Sequence, residues 1–563
     1  MAAGDSLGHS NTAEHPFTER PGTSRRDSSL LWAPLLAIGA AAFAVEIPFF
    51  FLGTPSGHDV EFHLYSWLEV LSQWKHGIFY PRWASLAHFA YGEPRFVFYP
   101  PASWTLGALL SVIFPWTLAA SIYQWIGLVA AGLSMFVLAR RWLDRRDAIF
   151  AAALYAANPY HLVIVYWRSA FAELLASCLL PLLLLFVIKA VEEGRRAMVP
   201  LGLVLAAAWL TNAPAAVMVH YSMALLLIFF AWKERSPRLV FVGGAAVVLG
   251  ALLSAFYLLP AIYEQRWINI AQAVSAGSRP ADNFLFVVHT NDVDHDNFNH
   301  IISGVAVLEM VMIFAAGWGT RLWREANRRL WDALLGWMVA CTVLMFPVSA
   351  ALWRVLPKMQ FMQFPWRWLL CLSMIFSLFV AGGIRRWRWR GAVCAIAILV
   401  IGLAWHRIQP PWWDNAADLR EMQNNMADHV GYEGTDEYAP AGADPGAIDK
   451  AARHVTVAGP ARAAIRVSRW DAEAKMFTAE MSAPDQLALR LFRYPAWQAE
   501  VNGQVVPTAS TDSGQMLVPV EAGMNHVQII FIRTWDRAAG GWISLLTLVW
   551  LIVWTRRAKR RAA

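Results

Sequence analysis

Charge is what this sequence has least of. Asp, Glu, Lys and Arg make up 15% of its residues, against about 25% in a soluble domain. Cysteine is scarce as well. Cys178, Cys341, Cys371 and Cys394 all lie inside apolar runs without metal-ligand spacing, which excludes a disulfide framework and a zinc knuckle. There is no P-loop, dinucleotide fingerprint, G-x-S-x-G or H-E-x-x-H motif, so the enzyme classes built on them fall away. No repeat of fixed period interrupts the chain.

What fills the sequence is apolar. Of 563 residues, 57% are hydrophobic, gathered into runs of about 17–24 residues that suit a hydrocarbon core of about 30 Å. The chain reads as an α-helical polytopic membrane protein with about twelve spans: 30–52, 118–139, 148–165, 172–189, 198–212, 214–232, 239–262, 301–320, 331–353, 367–384, 391–406 and 539–555. The first run is too long for a signal-peptide core and no small-residue cleavage site follows it, so it is expected to stay as a helix.

Basic residues test this topology. The clusters at 140–146, 189–196, 233–238, 321–329, 385–390 and 556–561, with the N-terminal segment, hold 26 of the 47 Lys and Arg. They fall on alternate connections, as expected of cytoplasmic loops. The net charge of +7 therefore reads as topological anchoring, and nucleic acid is not an expected partner. Counting 102–116 as a span would put "RRWLDRR" outside, so that segment reads as an interfacial or re-entrant helix.

The domain expectation follows. Residues 1–29 form a disordered cytoplasmic tail and 30–406 the transmembrane domain. Residues 407–452 form an irregular external linker, 453–538 an external β-domain, 539–555 the last span and 556–563 a basic cytoplasmic tail. The β-domain is expected to be a sandwich, with Asn502-Gly503 marking a hairpin between strand-like runs.

Chemistry concentrates on the outer face. In "SGHDVEFHLYSW" (56–67), Asp59 and Glu61 would share one side of an extended exit loop, or sit about 200° apart on a helix. A carboxylate there can take a proton from an acceptor hydroxyl, and two can hold a divalent cation against a diphosphate. Asp59, Glu61 and His63 are the metal candidates, and a divalent cation is the one cofactor this set suits. Arg82 and Arg95 in the same loop can meet a lipid phosphate, and Tyr99 leads through two prolines into the interfacial helix. Arg168 and Glu173 lie at the junction of two apolar runs, where charge is costly, and Glu173 starts a helix facing the side of Asp59. Arg367 in "QFPWRW" reads equally as a phosphate holder or an interfacial anchor. The acids and histidines of "HTNDVDHDNFNH" (289–300) resemble an imperfect calcium loop without its Gly and final Glu, and read as a polar substrate-facing loop.

"GHDVEFH", "GIFYPRW", "GEPRFVFYPP", "NPYH", "WRSAFAE", "QFPWR" and "GYEGTDEYAP" resemble a family of large bacterial membrane proteins labelled "6-pyruvoyl-tetrahydropterin synthase-related". Ser169 stands where that pattern more often has Gly. More distantly, the layout resembles the C-type glycosyltransferases (GT-C). That resemblance implies Asp59 as general base with Glu61 beside it, Glu173 as the second-loop carboxylate and Arg367 as a phosphate holder; Arg82, Arg95, Tyr99 and Arg168, read from the loops themselves, are the further candidates for contact with substrate or phosphate. It also implies a polyprenyl-linked sugar donor, a glycan, lipid or protein acceptor, and a site on the external face of a bacterial plasma membrane. The rivals are a lipid-glycan flippase or transporter, whose polar groups would sit near mid-bilayer, and a non-catalytic envelope assembly protein.

Overall fold

The computed structural model describes residues 32–288, 292–319, 327–407 and 412–562. The expected N-terminal tail and most of the 321–329 cluster lie outside the described residues.

Nine segments among the described residues are long and apolar enough to cross a membrane, or up to eleven if each of two bent helix pairs is one span. One of the nine, Phe171–Thr211, has 41 residues, about 60 Å if straight. It is not straight. Gly194 takes φ 61°, a conformation open to glycine at little cost, and helix Met198–Thr211 packs back against Leu179–Glu193 and Phe171–Ala176. It therefore folds back as two helical arms, over the segments where the sequence reading expects the spans 172–189 and 198–212.

The bent pairs correct two expected spans. Helix Arg238–Leu253 turns by 81° into Ala255–Trp267, and Arg328–Leu344 by 89° into Pro347–Val355. At the first bend the Phe256 N–H donates to Ser544 Oγ of the last helix (3.0 Å), and Ser254 Oγ donates to the Gly250 carbonyl (2.7 Å). At the second, Pro347 has no N–H with which to continue the ladder. Helix Pro101–Ile113, with 13 residues, reaches only about 20 Å, short of the bilayer core.

The first long loop is helical rather than extended. Val60, Leu64, Trp67 and Leu68 recur at helical spacing and are buried, so Val60–Lys75 forms a 16-residue helix whose apolar face packs on Pro101–Ile113. The expected irregular linker is partly ordered too. Helix Ala416–Ala427 starts in a capping box, Asn415 with Asp418, a signal present in the sequence. Trp413–Asp414 pairs with Thr54–Pro55 as a short antiparallel ladder, which fastens the linker to the first loop.

Beyond the linker, two sheets share one core. The four-stranded sheet runs Val455–Val457, Asp485–Phe492, Gln515–Val520, Ala509–Ser510. The five-stranded sheet runs Ala463–Trp470, Ala474–Met481, Gly523–Phe531, Trp497–Val501, Gln504–Val506. Phe477, Leu487, Leu489, Val518 and Ile529 fill the space between them. Asn502 and Gly503 take φ 52° and 80° and turn the hairpin between Trp497–Val501 and Gln504–Val506. Helix Trp535–Ala562 follows the last strand.

Candidate functional site

Helix Arg145–Ala156 stops where Asn158-Pro159 begins a new turn; Asn158 Oδ1 accepts from the His161 N–H at 2.8 Å. The chain then widens into one π-helical turn, Ile164–Arg168, and ends at Ser169 in the left-handed region, φ 49°. Such π turns recur at functional sites. This one delivers Arg168 to the rim of the bundle.

Ser169 explains its own departure from glycine. Its hydroxyl donates to the Pro55 carbonyl (2.7 Å) and accepts from the Gly57 N–H (3.0 Å). Asp59 N–H donates to the Arg168 carbonyl at 2.9 Å. The strands approach so closely that a Cβ on Gly57 would lie 2.5 Å from the Trp167 carbonyl oxygen. Asp59 is thus set at the N-terminus of helix Val60–Lys75, directly against Arg168.

Four charged groups meet there. Arg168 Nη2 donates to Asp59 Oδ2 (3.0 Å) and its Nη1 to Glu173 Oε2 (2.7 Å). Arg367 Nε donates to the same Glu173 oxygen (3.2 Å), and Tyr160 donates to Glu173 Oε1 (2.5 Å). Arg367 Nη1 is further held by the Met362 carbonyl (2.6 Å). Phe364 and Trp366, stacked on each other, lie about Arg168 at 5.2 and 5.1 Å. Glu173 is 2% exposed with both oxygens occupied, whereas the Asp59 side chain is 36% exposed.

The geometry separates roles. Glu173 binds two guanidinium groups and the Tyr160 hydroxyl, so both of its oxygens are engaged. Asp59 alone offers a solvent-reachable oxygen beside two positive charges. Tyr99 packs on Phe62 and His63 at 4.7 and 5.8 Å; burial, then the charge of Asp59, raises its hydroxyl well above the usual tyrosine range.

Other expected site residues lie elsewhere. Glu61 is exposed on helix Val60–Lys75, turned away from Asp59 by the helical twist. Arg95 is 1% exposed and held by Glu93 (2.6 Å) and Ser66 Oγ (3.0 Å). Glu93 in turn binds His88 (2.9 Å) and the Thr435 N–H (2.8 Å). This cluster seats the linker on the first loop, leaving Arg95 no face for a lipid phosphate. Arg82 lies over Tyr80 at 4.2 Å, within the field of Arg537 and Glu264, outside the Asp59 network.

A divalent cation does not fit the expected donors. His63 is buried among Phe62, Tyr99 and Phe171, Glu61 points away, and Asp59 faces Arg168. No group of three His, Cys, Asp or Glu side chains suited to a metal occurs among the described residues. Asp292 accepts from the His295 N–H at 2.9 Å at the start of helix Val293–Gly319, so the described part of 289–300 is a helix start rather than a calcium loop.

Sequence reasoning passed over Tyr160 and Gly57. Tyr160 stands inside "NPYH", where the Asn-Pro break was the available signal. Gly57 is required by the close approach, which only the fold reveals.

The structure resembles arabinofuranosyltransferase AftD from Mycobacteria at 16% identity and TM-score 0.42, over 70% of this chain and 28% of that one. It also resembles the oligosaccharyltransferase of Archaeoglobus fulgidus at 14% identity and TM-score 0.38, over 72% of this chain and 56% of that one. The chain thus spans less than two thirds of the length of either. No curated protein matches its sequence. The family model described as "6-pyruvoyl-tetrahydropterin synthase related domain; membrane protein" matches residues 96–410. That stretch is more than half of the chain and holds Arg168, Glu173 and Arg367; the protein belongs to this family of membrane proteins.

Proposed function

We propose that the protein is a membrane glycosyltransferase that moves a sugar from a polyprenyl-phosphate-type lipid to an acceptor on the external face of a bacterial plasma membrane. The observation that carries this reading is the Asp59–Arg168–Glu173–Arg367 network. It places one reachable carboxylate beside two buried guanidinium groups at the rim of an apolar bundle.

The reaction is a single displacement. The acceptor oxygen attacks the anomeric carbon as its proton passes to Asp59. The bond from that carbon to the phosphate oxygen breaks, and the electron pair leaves with the lipid phosphate. Arg168 and Arg367 stabilise the departing charge from fixed positions, and Glu173 with Tyr160 holds them there. No step runs through a cation. A donor carried in the membrane suits an apolar groove of about 1040 Å³ between helices Val293–Gly319 and Arg328–Leu344, lined by Met310, Phe314, Trp331, Met338 and Phe379. The first of these helices starts beside the network, where Phe298 meets Trp366 at 5.3 Å.

One observation favours transport as a second reading. Glu309, fully buried within the span Val293–Trp318, accepts from Ser373 Oγ at 2.7 Å, and a carboxyl inside a span is a functional signal by default. Proteoliposomes carrying radiolabelled polyprenyl-linked sugar decide between them. Transfer of label to acceptor that is lost in Asp59→Asn supports the enzyme. Lipid or glycan movement lost in Glu309→Leu but kept in Asp59→Asn supports the transporter.

A further inference from the structure

A second cavity lies well away from the charged network. It occupies about 530 Å³ at the seam between helix Val60–Lys75 and the β-sandwich, within the size range of small-molecule sites, which favour domain interfaces. Helical rise puts its Gln73 about 20 Å along that helix from Asp59.

Some of the polar groups lining it are already satisfied. Glu69 accepts from Leu86 N–H (2.6 Å), Ser85 Oγ (3.1 Å) and Gln73 Nε2 (3.3 Å). Arg490 donates to the carbonyls of Phe89, Ala452 and Lys450 at 2.9–3.1 Å. Others are not. Gln73 is 2% exposed and its Oε1 has no partner among the described residues. Lys475 is 2% exposed; its ammonium donates to the Asp471 carbonyl, lies over the Trp497 and Trp470 rings at 5.1 and 5.5 Å, and has further hydrogens to give. Glu473 stands beside it on the same wall. His454, stacked on Trp470 at 4.6 Å, makes an aromatic side. A buried amide oxygen and a buried ammonium left short of partners call for a ligand or ordered water that supplies both.

The lining is mixed in sign. Lys475 is opposed by Glu473, and Arg469 is paired with Asp471. Three carboxylates of the lining, Glu69, Asp471 and Glu473, are matched by three cations, Arg469, Lys475 and Arg490, so the wall carries no surplus of positive charge to select a phosphate or carboxylate. A neutral polyhydroxyl compound answers each group, since every hydroxyl both donates and accepts. Burial pushes the Lys475 ammonium down to about 7, which places it as a donor that does not demand an anion.

We propose that this seam cavity binds neutral sugar units of a glycan, and that it holds the body of the acceptor while its reacting end lies at Asp59. The second half of this statement rests on the glycosyl-transfer reading; the first does not.

The test uses the full-length protein in nanodiscs, titrated calorimetrically with linear neutral hexose oligosaccharides of one to six units, with uronate oligosaccharides and inorganic phosphate as comparisons. Neutral oligosaccharides are expected to bind more tightly as they lengthen. Gln73→Leu and Lys475→Met should each weaken binding by about tenfold or more, since each removes a hydrogen bond to a buried group. Ala472→Trp, which fills the cavity from its rim without removing a hydrogen bond, should abolish binding even if the other two variants fold poorly. Preference for the anions, no binding of any neutral oligosaccharide, or wild-type binding by Ala472→Trp overturns the proposal. Oligosaccharide binding together with full transfer by Asp59→Asn would instead overturn the reaction reading and leave the seam site standing.

Discussion

Arg168 ties Asp59 to Glu173. Its two terminal nitrogens donate to one carboxylate each, at 3.0 and 2.7 Å, although the carboxylates come from segments more than a hundred residues apart. A planar guanidinium can make both bonds at once; a lysine ammonium offers no such fork. Arg168→Lys should therefore keep the charge but release Asp59, lowering transfer by roughly a hundredfold with little change in lipid binding. Single-turnover transfer and lipid co-purification measure the two separately.

Glu173→Gln should act on stability as much as on activity. It leaves Arg168 and Arg367 buried with only Asp59 to balance them. Breaking a buried pair on one side costs roughly 3–5 kcal/mol, so a large fall in melting temperature in detergent is expected, together with loss of transfer. A variant that melts like the wild type would show that Glu173 is not the anchor of the two arginines.

Ser169 carries two opposed effects. Its left-handed backbone costs about 1–2 kcal/mol relative to glycine, while its hydroxyl bridges Pro55 and Gly57. Removing that bridge strands a buried N–H and carbonyl at about 1–3 kcal/mol each. Ser169→Gly should be mildly destabilising, Ser169→Ala clearly worse, and Ser169→Val worse still because a β-branched residue resists positive φ. Melting temperatures of the three variants give the order.

Arg95 should behave as a structural residue. Arg95→Met uncovers the buried Glu93; burial pushes its carboxyl up, and Arg95 with His88 overrides that and holds it at about 2, far below the usual carboxylate range. Faster proteolysis of the linker 430–440 is expected, with transfer by the intact fraction retained. Intact, protease-resistant protein that no longer binds lipid phosphate would return Arg95 to the site.

The pH dependence follows from His63. Burial lowers its imidazole to about 4, from 6.5. Between these values the unfolded chain holds a proton that the folded one does not, so stability falls as pH drops from 6.5 towards 4, by up to about 3 kcal/mol. His63→Phe should flatten that slope in melting experiments across this window.

The membrane class was legible because apolar runs and alternating basic clusters are local signals. The 81° and 89° bends were not, since hydropathy is blind to a Phe256 N–H taken by a serine of the last helix. Asp59, Arg168, Glu173 and Arg367 stood out as charges at the ends of apolar runs. Glu61, Arg82 and Arg95 carried the same signal; their separation depended on helix phase and on Glu93, whose role needs three dimensions. Glu309 and Tyr160 went unmarked because both lie inside the expected spans 301–320 and 148–165.

The most direct measurement is sugar transfer by Asp59→Asn in proteoliposomes supplied with labelled polyprenyl-linked sugars. A neutral amide can occupy the same space but cannot accept the acceptor's proton. Transfer should fall by about 10²–10⁴-fold while the protein remains folded and still retains the lipid. Transfer at the wild-type rate would contradict the assignment of Asp59 as the base and, with it, the reading of the charged network as a reaction site.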